Sequence, residues 1–78
     1  MKHVVVWSMD SCPQCAKAMT LLDTHKVNYE VRKLGTEWTT EDFLESVPNA
    51  THVPQILVNN ELIGGYVNLI NYLEGSNE

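Results

Sequence analysis

Two cysteines stand in the run Ser11-Cys12-Pro13-Gln14-Cys15, with two residues between them. A bond between thiols so close in sequence closes almost no loop, so it constrains the unfolded chain little and makes a weak structural staple. The spacing suits chemistry better. If Pro13 is the first residue of a helix, Cys12 becomes its N-cap, and its sulfur can accept hydrogen bonds from the otherwise unpaired amides of Gln14 and Cys15. Those amides and the positive end of the helix dipole favour a thiolate; thiols in Cys-X-X-Cys settings titrate as low as roughly 3.5–7.5, against about 8.5 for a free thiol. Cys12 is therefore the candidate nucleophile. Cys15 lies one helical turn on, at the i,i+3 spacing that matches the Cα separation of a disulfide, and a more buried position would hold it as a protonated reserve. It is the candidate resolving thiol: Cys12 attacks a disulfide sulfur, a mixed disulfide forms, and Cys15 displaces the reduced partner. A structural disulfide, an inert buried pair and a zinc site stay open beside this reading. For zinc the partners are poor, because His3, His25 and His52 fall singly, with no paired ligand spacing, and no metal ligands are assigned.

Composition restricts what such a pair can act on. Five Lys or Arg against ten Asp or Glu give a formal charge of -5, which argues against nucleic acid or an anionic membrane surface as the main partner and favours basic partner surfaces. The longest apolar run, Val4-Val5-Val6-Trp7, is far shorter than the roughly 20 residues of a membrane span, and shorter than the apolar core of a signal peptide. The chain is thus expected to be cytoplasmic, where thiols are kept reduced and a cysteine pair is more often catalytic or metal-binding than structural. Its 78 residues, 44% of them apolar, leave room for one small core. That domain is expected over residues 1–74, as a monomer, with a polar tail over 75–78 that frays.

The elements that must position the pair follow from periodicity. Residues 3–7 are β-branched and apolar, a strand buried on both faces, and Ser8-Met9-Asp10-Ser11 is the loop that leads from it to the cysteines. The helix from Pro13 carries Cys15, Ala18, Met19 and Leu22 on one face and turns Lys17 and Asp23 to water. Val27, Tyr29 and Val31 alternate with Asn28, Glu30 and Arg32, a strand with one face covered that ends at Gly35. Thr39 is a plausible N-cap for a helix with Glu41 and Asp42 near its positive end, Phe43, Leu44 and Val47 inward, and a stop before Pro48. Residues 54–58 and 61–63 read as two strands joined by Asn59-Asn60, since Asn tolerates the positive φ of a two-residue turn. After Gly64-Gly65, residues 67–73 carry a helical stripe of Leu69, Ile70 and Leu73. The order β-α-β-α-β-β-α predicts an α/β fold, a four-stranded mixed sheet with three helices packed on it.

In this setting the chain resembles the glutaredoxins of the thioredoxin-fold superfamily, over essentially its full length. The resemblance is carried by the apolar strand Val4-Val5-Val6-Trp7, by Cys12-Pro13-Gln14-Cys15, by His52-Val53-Pro54-Gln55-Ile56, and by Ile63-Gly64-Gly65 before the last helix, in this order. It implies a dithiol carrier that reduces protein disulfides or glutathione mixed disulfides, needs no bound cofactor, and takes its electrons from glutathione. It implies that Pro54 is cis and faces the active cysteine, with the Val53 backbone pairing an extended peptide or glutathione. It implies that Gly64 and Gly65 let backbone approach glutathione, whose carboxylate meets the amides of Tyr66 and Val67, and that Pro13, Gln14 and Tyr66 border the substrate. Where the family commonly has a lysine before the first cysteine, an aromatic within the motif and an aspartate after the glycines, this chain has Met9, Gln14 and Val67-Asn68. Gln14 is similar to the glutamine in the Cys-Val-Gln-Cys motif of glutaredoxin-like proteins that thioredoxin reductase recharges and that supply ribonucleotide reductase. Some family members instead hold an iron–sulfur cluster through the first cysteine, so a metal or cluster module is the alternative from a different class. His52, Trp7 and Trp38 are read first as an exposed loop residue and two packing residues.

Overall fold

The computed structural model describes residues 2–75. Its central strand is β1 (Val4–Ser8), in which all five residues are buried. A strand with no solvent face must be covered by strands on both edges and by helices on both sides. The other elements are α1 (Pro13–Thr24), β2 (Glu30–Lys33), α2 (Thr40–Ser46), β3 (Gln55–Val58), β4 (Glu61–Gly64) and α3 (Tyr66–Gly75), in the expected order. The sheet runs β2-β1-β3-β4. β1 and β2 are parallel, with Val5 opposite Glu30 and Ser8 opposite Lys33, whereas β3 is antiparallel to both β1 and β4. Asn59 and Asn60 turn the β3–β4 hairpin at φ values of 53° and 68°, the positive pair that a two-residue loop requires.

Two apolar clusters divide the sheet faces by the parity of β1. Val4 and Val6 join Ala18, Leu22, Ile56, Val58 and Leu69 beneath α1 and α3, while Val5 and Trp7 join Phe43, Val47 and Leu57 beneath α2. The α1 face follows expectation: Cys15, Ala18 and Leu22 are buried, Met19 is half-buried, and Lys17 and Asp23 are exposed. α1 stops without a glycine. Lys26 takes φ 60°, its amide bonds to Asp23 at 3.0 Å, and that of Val27 bonds to Leu22 at 3.0 Å. These are the two bonds of a Schellman end, which satisfy the last free carbonyls. Thr39 caps α2 reciprocally with Asp42.

Four expectations need correction. Leu44 is 42% exposed, because a helix of seven residues presents one stripe to the sheet, and Phe43 and Val47 fill it. Val27 and Tyr29 pack inward on the α1 side, yet Val31 is 41% exposed on β2, an outer strand of the sheet, where it lines an open cavity. Its neighbour Arg32, expected outside, lies across the aromatic cluster: its guanidinium is 4.5 Å from the Trp38 ring centroid and 5.4 Å from that of Trp7. The last helix runs from Tyr66 to Gly75, longer at both ends than the apolar stripe alone indicated, with His25 reaching Glu74 at 3.8 Å. The rest of the expected tail, 76–78, lies outside the described residues.

Arg32 also donates from Nε to Glu30 at 2.8 Å, and Glu30 meets His3 at 3.3 Å. The hydrogen bond from Arg32 holds the Glu30 carboxyl below its ordinary pKa, with His3 contributing less. A lowered carboxyl pKa stabilises the fold above the unfolded-state value, about 4.3 for Glu, and this share is lost as pH falls through the folded value. Arg32→Ala is expected to cost about 1–2 kcal/mol by urea unfolding at neutral pH, through lost cation–π contact and stem packing. Lys33→Ala, on the same strand but in an exposed pair, should change stability by less than about 0.5 kcal/mol.

Candidate redox site

The parallel pairing of β1 and β2 brings the ends of both strands to one edge of the sheet, the position where open α/β sheets place ligands. Ser8 closes β1 with its carbonyl accepting from the Leu34 amide at 2.9 Å. The chain then crosses from sheet to helix in four residues. Ser11 takes φ 58°, Cys12 is extended at φ -116° and ψ 96°, and Pro13 begins the helix. Proline fits that place because its missing N–H is one a first helical turn cannot use.

Cys12 is the N-cap of α1, as the spacing predicts. The Cys15 amide donates to its Sγ at 3.2 Å, while the expected second bond from Gln14 is not formed. Cys12 and Cys15 are joined as a disulfide with a Cα separation of 5.2 Å. Cys15 is 1% exposed and Cys12 half-buried, so of the two sulfurs an incoming thiol meets that of Cys12. Pro13 and Gln14 are exposed beside it. Once the bond is reduced, the amide and the α1 dipole both favour negative charge on Cys12 over its neutral thiol.

The second wall comes from the loop before β3. The Val53–Pro54 peptide is cis, and the Val53 carbonyl oxygen stands 3.9 Å from Cys12 Sγ. Pro54 is buried, and Gln55 fixes the loop by donating to the His52 carbonyl at 3.1 Å. His52 is exposed. Gly65 closes on this loop: a Cβ there would lie 3.5 Å from the Pro54 carbonyl oxygen and 3.8 Å from His52 Nε2. Gly65 also precedes α3, where its amide donates to Asn68 Oδ1 at 3.3 Å and its carbonyl accepts from Leu69 at 2.9 Å. Having no side chain, it leaves the amides of Tyr66 and Val67 uncapped from its own side. Val67 is 64% exposed. Tyr66 instead lies half-buried along a groove with Ala16, Lys17 and Thr20 of α1, packed on the α1–α3 core.

Periodicity alone missed Val31 and Lys33. Both line the cavity that also contains Cys12 and Cys15. The signal was present in the topology, since in a parallel β-α-β unit the end of the second strand must return beside the loop that leaves the first. Among the described residues, no three or more His, Cys, Asp or Glu side chains are grouped to hold a metal ion.

The glutaredoxin family profile matches residues 4–63. The chain belongs to the glutaredoxin family. It is a thiol–disulfide oxidoreductase with the thioredoxin-like fold, and its Cys12–Cys15 pair fits the family's redox-active motif. Glutaredoxin 1 of Rickettsia prowazekii is 34% identical over 70 residues, a match covering 87% of this chain and 74% of that protein. Among solved structures, reduced Escherichia coli glutaredoxin superposes with a TM-score of 0.76 at 26% identity, over 94% of each chain. A buckwheat glutaredoxin–glutathione complex superposes with a TM-score of 0.70 at 22% identity, over 92% of this chain and 69% of that one.

The two glycines of this glutaredoxin differ in what they tolerate. Gly64 has φ +125°, and a Cβ there would fall 2.7 Å from Asn68 Cγ, whereas Gly65 has ordinary clearance. Gly64→Ala is therefore expected to lower stability by about 1–3 kcal/mol. Gly65→Ala should stay within about 1 kcal/mol of the parent while placing a methyl group against the cis-proline loop. Paired urea titrations of the two variants check the order.

Proposed function

We propose that this glutaredoxin reduces protein disulfides and glutathione mixed disulfides through Cys12, with Cys15 as the resolving thiol and glutathione as the source of electrons. The observation that carries the reading is the position of the Cys12 sulfur, between an amide donor on α1 and the backbone of Val53 beside the cis-proline. The Cys12 thiolate attacks one sulfur of the substrate disulfide, whose S–S bond breaks as a Cys12–substrate bond forms. The departing thiolate takes a proton from solvent. Cys15, deprotonated, then attacks the Cys12 sulfur and expels the second substrate thiolate, which is also protonated. Two electrons and two protons reach the substrate, and the protein is left as the Cys12–Cys15 disulfide. One glutathione thiolate reopens that bond at Cys12, and a second attacks the resulting mixed disulfide, releasing glutathione disulfide.

Glutathione is supported as the ligand by the glycine-bordered cis-proline loop, by the amides of Tyr66 and Val67 opening α3 for a carboxylate, and by a structural neighbour that binds it. Val53 offers its backbone to the cysteinyl peptide, and Pro13 and Gln14 border it. No prosthetic group is required. The working compartment is the cytoplasm, and ribonucleotide reductase is the large partner of choice. A second reading, recharging by thioredoxin reductase, is favoured by Met9 and Gln14, which place neither a cation nor an aromatic ring where a glutathione-using member commonly has them.

Oxidised protein supplied with NADPH and either glutathione plus its reductase, or thioredoxin reductase, separates the two readings. Fast NADPH consumption in the first arm is expected; turnover only in the second would reject glutathione as reductant. Cys12→Ser should reduce disulfide turnover to background. Cys15→Ser should accumulate a Cys12 mixed disulfide with the substrate, seen by intact mass spectrometry; retained turnover in Cys12→Ser would overturn the assignment.

A further inference from the structure

The redox pair lies between two surfaces, and the mechanism above uses only the cis-proline side. On the other side, between the start of α1 and β2, an open cavity of about 740 Å³ contains both cysteines in its lining. Its walls are largely apolar. Met9 is 48% exposed and Val31 41% exposed at its mouth, with Met19 half-buried between them. Two methionines make a surface that adapts to differently shaped apolar side chains. An apolar surface left open beside a nucleophile is expected to meet a partner.

Charge adds direction. Lys33, two residues after Val31 and therefore on the same face of β2, lines the same cavity and is its one cation among the described residues. Its Nζ is 2.6 Å from Asp10, but both side chains are solvent-exposed, at 46% and 81%. Exposed pairs of this kind hold weakly, so another carboxylate can take the place of Asp10. The chain's net charge of -5 acts from all sides, but within a Debye length of about 8–10 Å the nearest charge governs a docked side chain.

We propose that this groove docks the cysteine-bearing segment of a protein disulfide substrate, with an apolar side chain against Met9, Met19 and Val31 and an adjacent carboxylate on Lys33. The occupant follows from continuity. The groove shares Cys12 with the site of exchange, so residues flanking a cysteine that reacts there must cross one of the two faces. A second copy of the chain fits less well, since it would bring another charge of -5 and cover the reacting sulfur. The inference rests on exchange at Cys12 and not on which molecule recharges it.

The test uses full-length protein reduced with dithiothreitol and freed of excess, in single-turnover mixing with peptide–mercaptoethanol mixed disulfides. Two peptides carry Leu before the cysteine, and after it either Glu or Lys. Rates come from acid quenching and chromatography. The readout is the Glu-to-Lys rate ratio, in which any change in the intrinsic reactivity of Cys12 cancels. The parent should favour the Glu peptide, Lys33→Glu should lower the ratio by about threefold to tenfold, and Asp10→Ala, which frees Lys33, should raise it. A ratio near one in the parent, or one unmoved by both substitutions, would overturn the docking proposal alone. Failure of the parent to reduce either peptide would overturn the exchange reading as well.

Discussion

The amide of Cys15 points at the sulfur of Cys12 from 3.2 Å, and that bond sets conditions on much of the chain. Cys12 must be extended while Pro13 is already helical, so the change of conformation falls between two adjacent residues. Ser11 at φ 58° turns the chain into that change. None of this holds unless β1 delivers Ser8 to a fixed place. β1 is held because both its faces are buried: a slip of one residue would move Val4 and Val6 into the space of Val5 and Trp7 on the opposite side of the sheet. The register of one strand therefore determines where the sulfur stands.

The environment of that sulfur is mixed. The Val53 carbonyl oxygen, 3.9 Å away, presents the negative end of its dipole, which opposes charge on Cys12 and would accept a hydrogen bond from its neutral thiol. The Cys15 amide and the α1 dipole act the other way and from closer range. Hydrogen bonds to a charged group contribute roughly 1.5–3 kcal/mol, more than a sulfur–carbonyl contact at the outer limit of bonding distance. The balance favours the thiolate, while the carbonyl stands where the proposed mechanism aligns a substrate backbone. In that mechanism attack and alignment are divided between two walls 41 residues apart in sequence.

The parts of this arrangement legible in the sequence are those with local causes. The cap at Cys12, the inward face of α1, the N-cap at Thr39 and the Asn59-Asn60 turn all arise from residues within a few positions of one another. What was not legible depends on which strand is outermost. Val31 reads as core by alternation and Arg32 as surface, yet the edge position of β2 leaves the first open and lays the second over Trp7 and Trp38. Lys33 joins the redox site only through its pairing opposite Ser8. Gly64 and Gly65 look alike in sequence; the first is required by its φ and by Asn68, whereas the second lies against the Pro54 loop with room for a methyl group. The end of α1 carries no glycine signal, because Lys26 takes the left-handed position.

Neither apolar cluster contains a cysteine. For a carrier this matters, because its pair must open and close in every cycle while the same fold presents it. A disulfide between residues three apart restricts the unfolded chain less than a longer loop would, so breaking it removes comparatively little stability. The stability comes from elsewhere: β1 between its two clusters, and Arg32 over the indoles on the side away from α1. The closing residues of β1 join that support to the chemistry, with Trp7 in the aromatic cluster and Ser8, the next residue, already lining the redox cavity. Electron transfer can therefore change the bond at Cys12 while leaving the contacts that fix its position in place.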